Sequence, residues 1–170
     1  MSIDHALTAH DPAVLHADEG RHLHFLNHLA TIKVVAGTDG ALSVVEFRAP
    51  KSMGPPLHAH DDEDELFIVL DGQVAFRSGD LEVAAGAGAY AFLPRQIPHT
   101  FQVLSDEARF VCVTGSTAGA PRFDCMVSAL GSPVPGPSLP EPGPIDPARV
   151  AEVCRQHGIA VLGPPPPPLD

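Results

Sequence analysis

Gly54-Pro55-Pro56-Leu57-His58-Ala59-His60-Asp61-Asp62-Glu63-Asp64-Glu65, followed further on by Leu93-Pro94-Arg95-Gln96-Ile97-Pro98-His99, is the stretch that decides how this chain is read. His58 and His60 stand two apart, so on a strand they project from one face with Cα atoms roughly 6.6–7 Å apart. Imidazoles at that separation can converge on one metal ion at about 2.0–2.2 Å per ligand. A carboxylate from the next strand and His99 from a later one complete a set of three imidazoles and one carboxylate. Glu65 is the candidate carboxylate because it opens the apolar strand Leu66–Leu70 and shares a face with Phe67 and Val69. The four acids before it, Asp61 to Asp64, read as a solvated loop.

Around that stretch the chain breaks into short strands bounded by turn residues, the pattern of an all-β sandwich or barrel. The spacing predicts strands over Thr31–Val35, Leu42–Phe47, Leu57–His60, Glu65–Leu70, Val74–Ser78, Leu81–Val83, Ala89–Leu93, His99–Leu104 and Ala108–Thr114. Asp39-Gly40, Asp71-Gly72 and Gly79-Asp80 supply hairpin turns that tolerate positive φ. The period then changes: Phe123, Met126, Val127 and Leu130 recur at helical spacing before Gly131. Asp146-Pro147 offers an N-cap with proline at N1 for a second helix, Ala148–His157, ending at Gly158. Ile159–Leu162 suits an edge strand, and Pro164–Pro168 reads as a stiff, disordered polyproline tail. The expected organisation is an N-terminal extension over 1–30, holding several histidines without trustworthy periodicity, a barrel over 31–116, and C-terminal helices, Pro-rich linker and tail over 117–170 packing on the barrel.

Composition narrows the function. A chain of 170 residues has room for one core, and its formal charge of −11 opposes binding to nucleic acid or anionic lipid. No apolar run approaches the roughly 20 residues that span a bilayer, so no membrane partner is expected. The N-terminus lacks a basic stretch followed by an apolar one, the mark of a secretory signal. Cys112, Cys125 and Cys154 are odd in number and widely spaced, which argues for buried thiols in a reducing compartment, the cytoplasm. No GxSxG is present for a serine nucleophile, and the acidic N-terminal stretch has no helix-turn-helix pattern.

The two histidine stretches resemble the paired motifs of the cupin superfamily, and the overall layout resembles its small, bacterial, single-domain quercetin-dioxygenase-like group. The first motif reads Gly54, a spacer of three residues where five are usual, His58-Ala59-His60, four residues to Glu65, then six to Gly72. Glu63 is the rival carboxylate, but the same count from it lands on Leu70. In the second motif Gly88, Pro94 and His99 match, while Gln96 replaces a glycine and Val103 an asparagine. The resemblance implies a double-stranded β-helix, a conical jelly-roll barrel with its site inside. It also implies one divalent metal ion per chain, whether iron, nickel, cobalt, manganese, copper or zinc, and a homodimer, to which the Pro-rich terminal segments would add packing.

If Glu65 and His99 point into the barrel, alternation brings Phe67, Phe101 and Val103 to the same side. Such an interior suits an apolar or aromatic small molecule with one or two chelating oxygens. Tyr90, the single tyrosine, is the remaining candidate for substrate contact. The leading expectation is a metal-dependent dioxygenase for an enolic or phenolic substrate, with His58, His60, Glu65 and His99 on the metal and Glu65 as base. A non-oxidative cyclase or isomerase, and a small-molecule-binding cupin without turnover, stay open.

Overall fold

The computed structural model of the chain describes residues 6–8, 12 and 14–169; His5 and His10 of the N-terminal stretch lie outside them. In chain order the elements are β1 (Arg21–Phe25), β2 (His28–Val34), β3 (Leu42–Pro50), β4 (His58–His60), β5 (Glu63–Asp71), β6 (Gln73–Ser78) and β7 (Leu81–Gly86). Then come β8 (Tyr90–Leu93), β9 (His99–Val103), β10 (Glu107–Ser116), α1 (Phe123–Leu130), β11 (Ser132–Pro133), α2 (Pro147–Gln156) and β12 (Ile159–Val161). Two sheets, ordered β11-β1-β2-β3-β10-β5-β8 and β12-β4-β9-β6-β7, face each other in a double-stranded β-helix jelly roll. Neighbours within both sheets run antiparallel. No helix among the described residues is long and apolar enough to cross a membrane.

Alternation builds the core. On β3 the buried residues include Val45, Phe47 and Ala49; on β10, paired to it, they include Ala108, Phe110 and Cys112. With few large side chains in the sequence, phenylalanines carry much of the core packing. Phe101 and Phe110 meet edge-on with ring centroids 5.1 Å apart, while Phe67 sits 5.4 Å from Phe76 and 6.2 Å separates Phe25 from Phe47. Such contacts combine large apolar burial with favourable ring geometry. Gly72 takes φ 77° in the β5–β6 hairpin, and a Cβ there would collide with the Glu107 carbonyl, so the turn requires glycine.

Several expectations change. Within the expected N-terminal extension, β1 and the start of β2 form a hairpin that extends the larger sheet. Its histidines are settled by partners distant in sequence or on the neighbouring strand. His22 Nδ1 lies 2.9 Å from Thr31 Oγ1, and His24 Nε2 lies 3.0 Å from the Ser138 carbonyl. The 132–144 linker lies along this hairpin, with Ser132 and Pro133 paired to β1 and Asn27 exchanging hydrogen bonds with Gly143. The polyproline tail is a docked segment: Gln102 Nε2 donates to the Pro167 carbonyl at 2.6 Å, and the Leu169 amide donates to Ser52 Oγ. Proline carbonyls keep full acceptor strength, and here the barrel supplies the donors.

Candidate metal centre

β4 presents His58 and His60 on one face, and β9 pairs with it so that His99 lies directly opposite His58. Ring centroids are 4.5 Å apart for His58 and His99, and 5.3 Å for His58 and His60. Glu65 comes from β5 in the other sheet, so the cluster bridges the two layers. One donor atom from each of His58, His60, Glu65 and His99 lies within 4.8 Å of all the others. The short connection between β4 and β5 makes this meeting possible. Gln96 stabilises the opposite rim: it adopts φ 64°, the left-handed conformation that favours glycine, and its amide donates to the His60 carbonyl at 2.8 Å.

Each imidazole is oriented by a bond at Nδ1. His58 donates to the Pro56 carbonyl at 2.8 Å, His99 to the Ile97 carbonyl at 2.9 Å, and His60 to Glu63 Oε2 at 2.9 Å. With the ring proton at Nδ1, each Nε2 is a lone pair. Nε2 of His60, Nε2 of His99 and Oε2 of Glu65 are buried without a hydrogen-bond partner. His99 Nε2 lies 3.0 Å from Glu65 Oε2, close enough for one proton or one metal ion to join them. Buried acceptors in this arrangement need a cation, and the set of nitrogen and oxygen donors fits one divalent metal.

The charges agree with that requirement. Burial alone would raise the Glu65 carboxyl, but the imidazoles of His60, His99 and His58 outweigh it and hold it down at about 2. His58 is pushed down to about 4, chiefly by burial and then by His99. Burial also opposes charge on His60, yet Glu65 and Glu63 together raise its pKa. Without a metal, the carboxylates favour a proton on His60; a divalent ion competes for the same position. Cys112, a buried thiol pushed well up by its surroundings, donates to Glu65 Oε1 at 3.4 Å.

Through His58 and Glu65 the cluster opens into a cavity that is partly open to solvent. Phe67 and Phe101 line it beside His58 and Glu65, as the alternation implies. Its remaining wall comes from Phe25 and His28 of the first hairpin, Phe123 and Met126 of α1, Val150 of α2 and Ile159 of β12. Among the described residues, no lysine or arginine lines it. His28 is buried and its pKa falls to about 4, so it presents a neutral ring.

Two expected substrate contacts lie outside the lining of this cavity. Tyr90 is 69 % exposed and lies outside the cavity lining, because it pairs with Ile68, on the face of β5 opposite Phe67. Val103 is fully buried but deeper in the barrel, paired with Val74 and away from the lining. The acidic run is also more than a solvated loop. Glu63 is buried at 1 % exposure, and Asp64 accepts from the Arg95 guanidinium at 2.8 and 3.1 Å. The signal for Glu63 was its i, i+2 spacing from Glu65 on one strand.

Residues 44–114 match the family described as Cupin domain. Over 125 residues the chain is 30 % identical to quercetin 2,3-dioxygenase of Bacillus subtilis (strain 168), a match covering 72 % of this chain and 35 % of that protein. The chain thus spans about a third of the length of that relative. Among solved structures, the plu4264 protein from Photorhabdus luminescens aligns with a TM-score of 0.53 at 16 % identity, covering 64 % of this chain and 91 % of the other. Oxalate decarboxylase from Bacillus subtilis aligns with a TM-score of 0.51 at 20 % identity, covering 64 % and 31 %. Both structural likenesses concern the fold alone.

Proposed function

From a chain that carries a cupin domain and resembles the quercetinase-like group, we propose a metal-dependent dioxygenase acting on an enolic or phenolic small molecule. The observation that carries this reading is a set of buried, unsatisfied donors opening into an apolar cavity without lysine or arginine. A divalent metal held by His58, His60, Glu65 and His99 would polarise a chelating hydroxyl and bring dioxygen within reach. Phe67, Phe101 and Phe123 would pack against the apolar body of the substrate and exclude water. Glu65 Oε2 would take the hydroxyl proton as the substrate docks. The lining has no fixed cation to recognise a phosphate or a free carboxylate, which favours neutral, aromatic substrates.

The test is oxygen uptake. Protein purified without added ions is expected to carry iron, nickel, cobalt, copper or manganese and to consume dioxygen in step with an enolic or phenolic substrate. Equal turnover of that substrate under argon would replace the oxygenase with a cyclase or isomerase. Zinc as the native metal would point the same way, since zinc has no redox chemistry.

We also propose a homodimer, built on the outer face of the larger sheet. Strand register places Phe92, Leu66, Val113 and Val44 in one cross-strand row, and Tyr90, Ile68 and Val111 in the next. Tyr90 and Phe92 are 69 % and 59 % exposed. Glu46, the next residue of the second row, is neutralised by Arg109 and Lys33 at 2.5 and 3.5 Å. For a chain of net charge −11, this is a face on which two copies can meet without unpaired charge. Light scattering at tens of micromolar should give twice the chain mass, and Phe92→Asp should halve it. A monomeric wild-type mass rejects the dimer.

A further inference from the structure

We propose that Glu63 is a positioning residue that ties His60 to the start of α1, so that metal binding and the docking of α1 over the cavity are one event. The inference rests on the metal-site reading and adds a coupling to it. Glu63 is buried, and both of its oxygens are committed. Oε2 accepts from His60 Nδ1 at 2.9 Å, and Oε1 accepts from the backbone amide of Arg122. Arg122 is the N-cap residue of α1 and makes no side-chain cap bond of its own. A strand residue of the metal site therefore accepts the N-cap amide that a glutamate three residues into the helix takes in a capping box.

The same turn is anchored a second time. The Arg122 guanidinium donates to Asp62 Oδ1 at 3.0 Å and packs over Gly158, where any Cβ would collide with it. Two successive acids, Asp62 and Glu63, thus hold the side chain and the backbone of one residue. The helix that follows places Phe123 and Met126 in the cavity wall, and the Phe123 ring lies 6.1 Å from that of His60. Movement of α1 reaches the metal ligand through one carboxylate.

A carboxylate suits this task because it offers acceptors on both sides. In Glu63→Gln the shape is kept but one acceptor becomes a donor. If the amide nitrogen faces His60, the ring must carry its proton at Nε2, on the side of the metal. If it faces Arg122, donor meets donor and the helix loses its cap. Outer partners of metal-bound imidazoles are worth about 10–100-fold in affinity. Coupling between two sites is reciprocal, so loosening α1 must also weaken the metal.

The experiment uses the full chain with zinc as the probe, its affinity read by chelator competition and α1 by hydrogen exchange at residues 123–130. Zinc is expected to slow exchange in α1 of the wild type. Glu63→Gln should raise the zinc Kd about 10–100-fold and abolish the zinc-dependent slowing. Arg122→Ala, which touches no ligand and removes a positive charge, should still raise the zinc Kd by at least about fivefold. That effect should vanish in the Glu63→Gln background. Loss of the cation alone would strengthen metal binding, so this direction isolates the mechanical link. Wild-type zinc affinity in either single variant overturns the proposal, as does an Arg122→Ala effect that is additive with Glu63→Gln. Should Glu63→Gln fail to fold, Arg122→Ala alone decides. Failure of the wild type to bind zinc would defeat the metal-site reading itself, a result distinct from tight binding without coupling.

Discussion

Glu65→Gln is expected to keep a measurable metal occupancy while losing turnover of an enolic or phenolic substrate by about 10²-fold or more, the scale of a catalytic acid or base. The substitution preserves shape in a site where Cys112 contacts Oε1 and His99 Nε2 lies 3.0 Å from Oε2. The amide oxygen can still face the metal position, so the three imidazoles retain a fourth donor. What disappears is the negative charge and the ability to take a proton. Glu65 is ionised throughout the neutral range, since the surrounding imidazoles override its burial. Elemental analysis and oxygen uptake on the same preparation separate the two roles. Turnover close to wild type would show that another group removes the substrate proton.

Alanine at His58 or His99 should have the opposite signature, with the metal itself lost. Each side chain contributes a donor and is fixed by a backbone carbonyl through Nδ1. Truncation leaves a void and an unbonded carbonyl, Pro56 or Ile97, that no neighbouring ligand can fill. Zinc affinity should fall at least tenfold, because loss of a direct ligand weighs no less than loss of an outer partner. Titration by chelator competition measures it. Full occupancy in both variants would remove His58 and His99 from the metal site.

The strands near the site were legible because their side chains alternate and their hairpins carry Asp-Gly or Gly-Asp. The helix over Phe123–Leu130 and the Asp146 cap of α2 were equally plain, the latter accepting from the Ala148 amide at 2.9 Å. The grouping of His58, His60, Glu65 and His99 followed from spacing and motif together. What stayed hidden depends on contacts between distant segments. His22 and His24 look polar in sequence, yet β1 is a strand because Thr31 and Ser138 receive them. Glu63 looks solvated among its acidic neighbours until α1 brings the Arg122 amide to it. Strand parity, which turns Tyr90 outward through its pairing with Ile68, needs the register of β5 and β8 that no single strand reveals.

β4 has β9 on one side, paired through a single residue couple, and β12 on the other, where Ile159 lies opposite His60 and Val161 opposite His58. Beyond β12, Leu57 exchanges backbone bonds with Leu162, Gly163 and Pro164. The strand bearing two imidazoles therefore acquires half of its hydrogen-bonded surroundings from a segment translated after α2. Without residues 159–164, the edge of the strand that bears His58 and His60 would lie open, so the C-terminal segment is part of the frame of the metal centre.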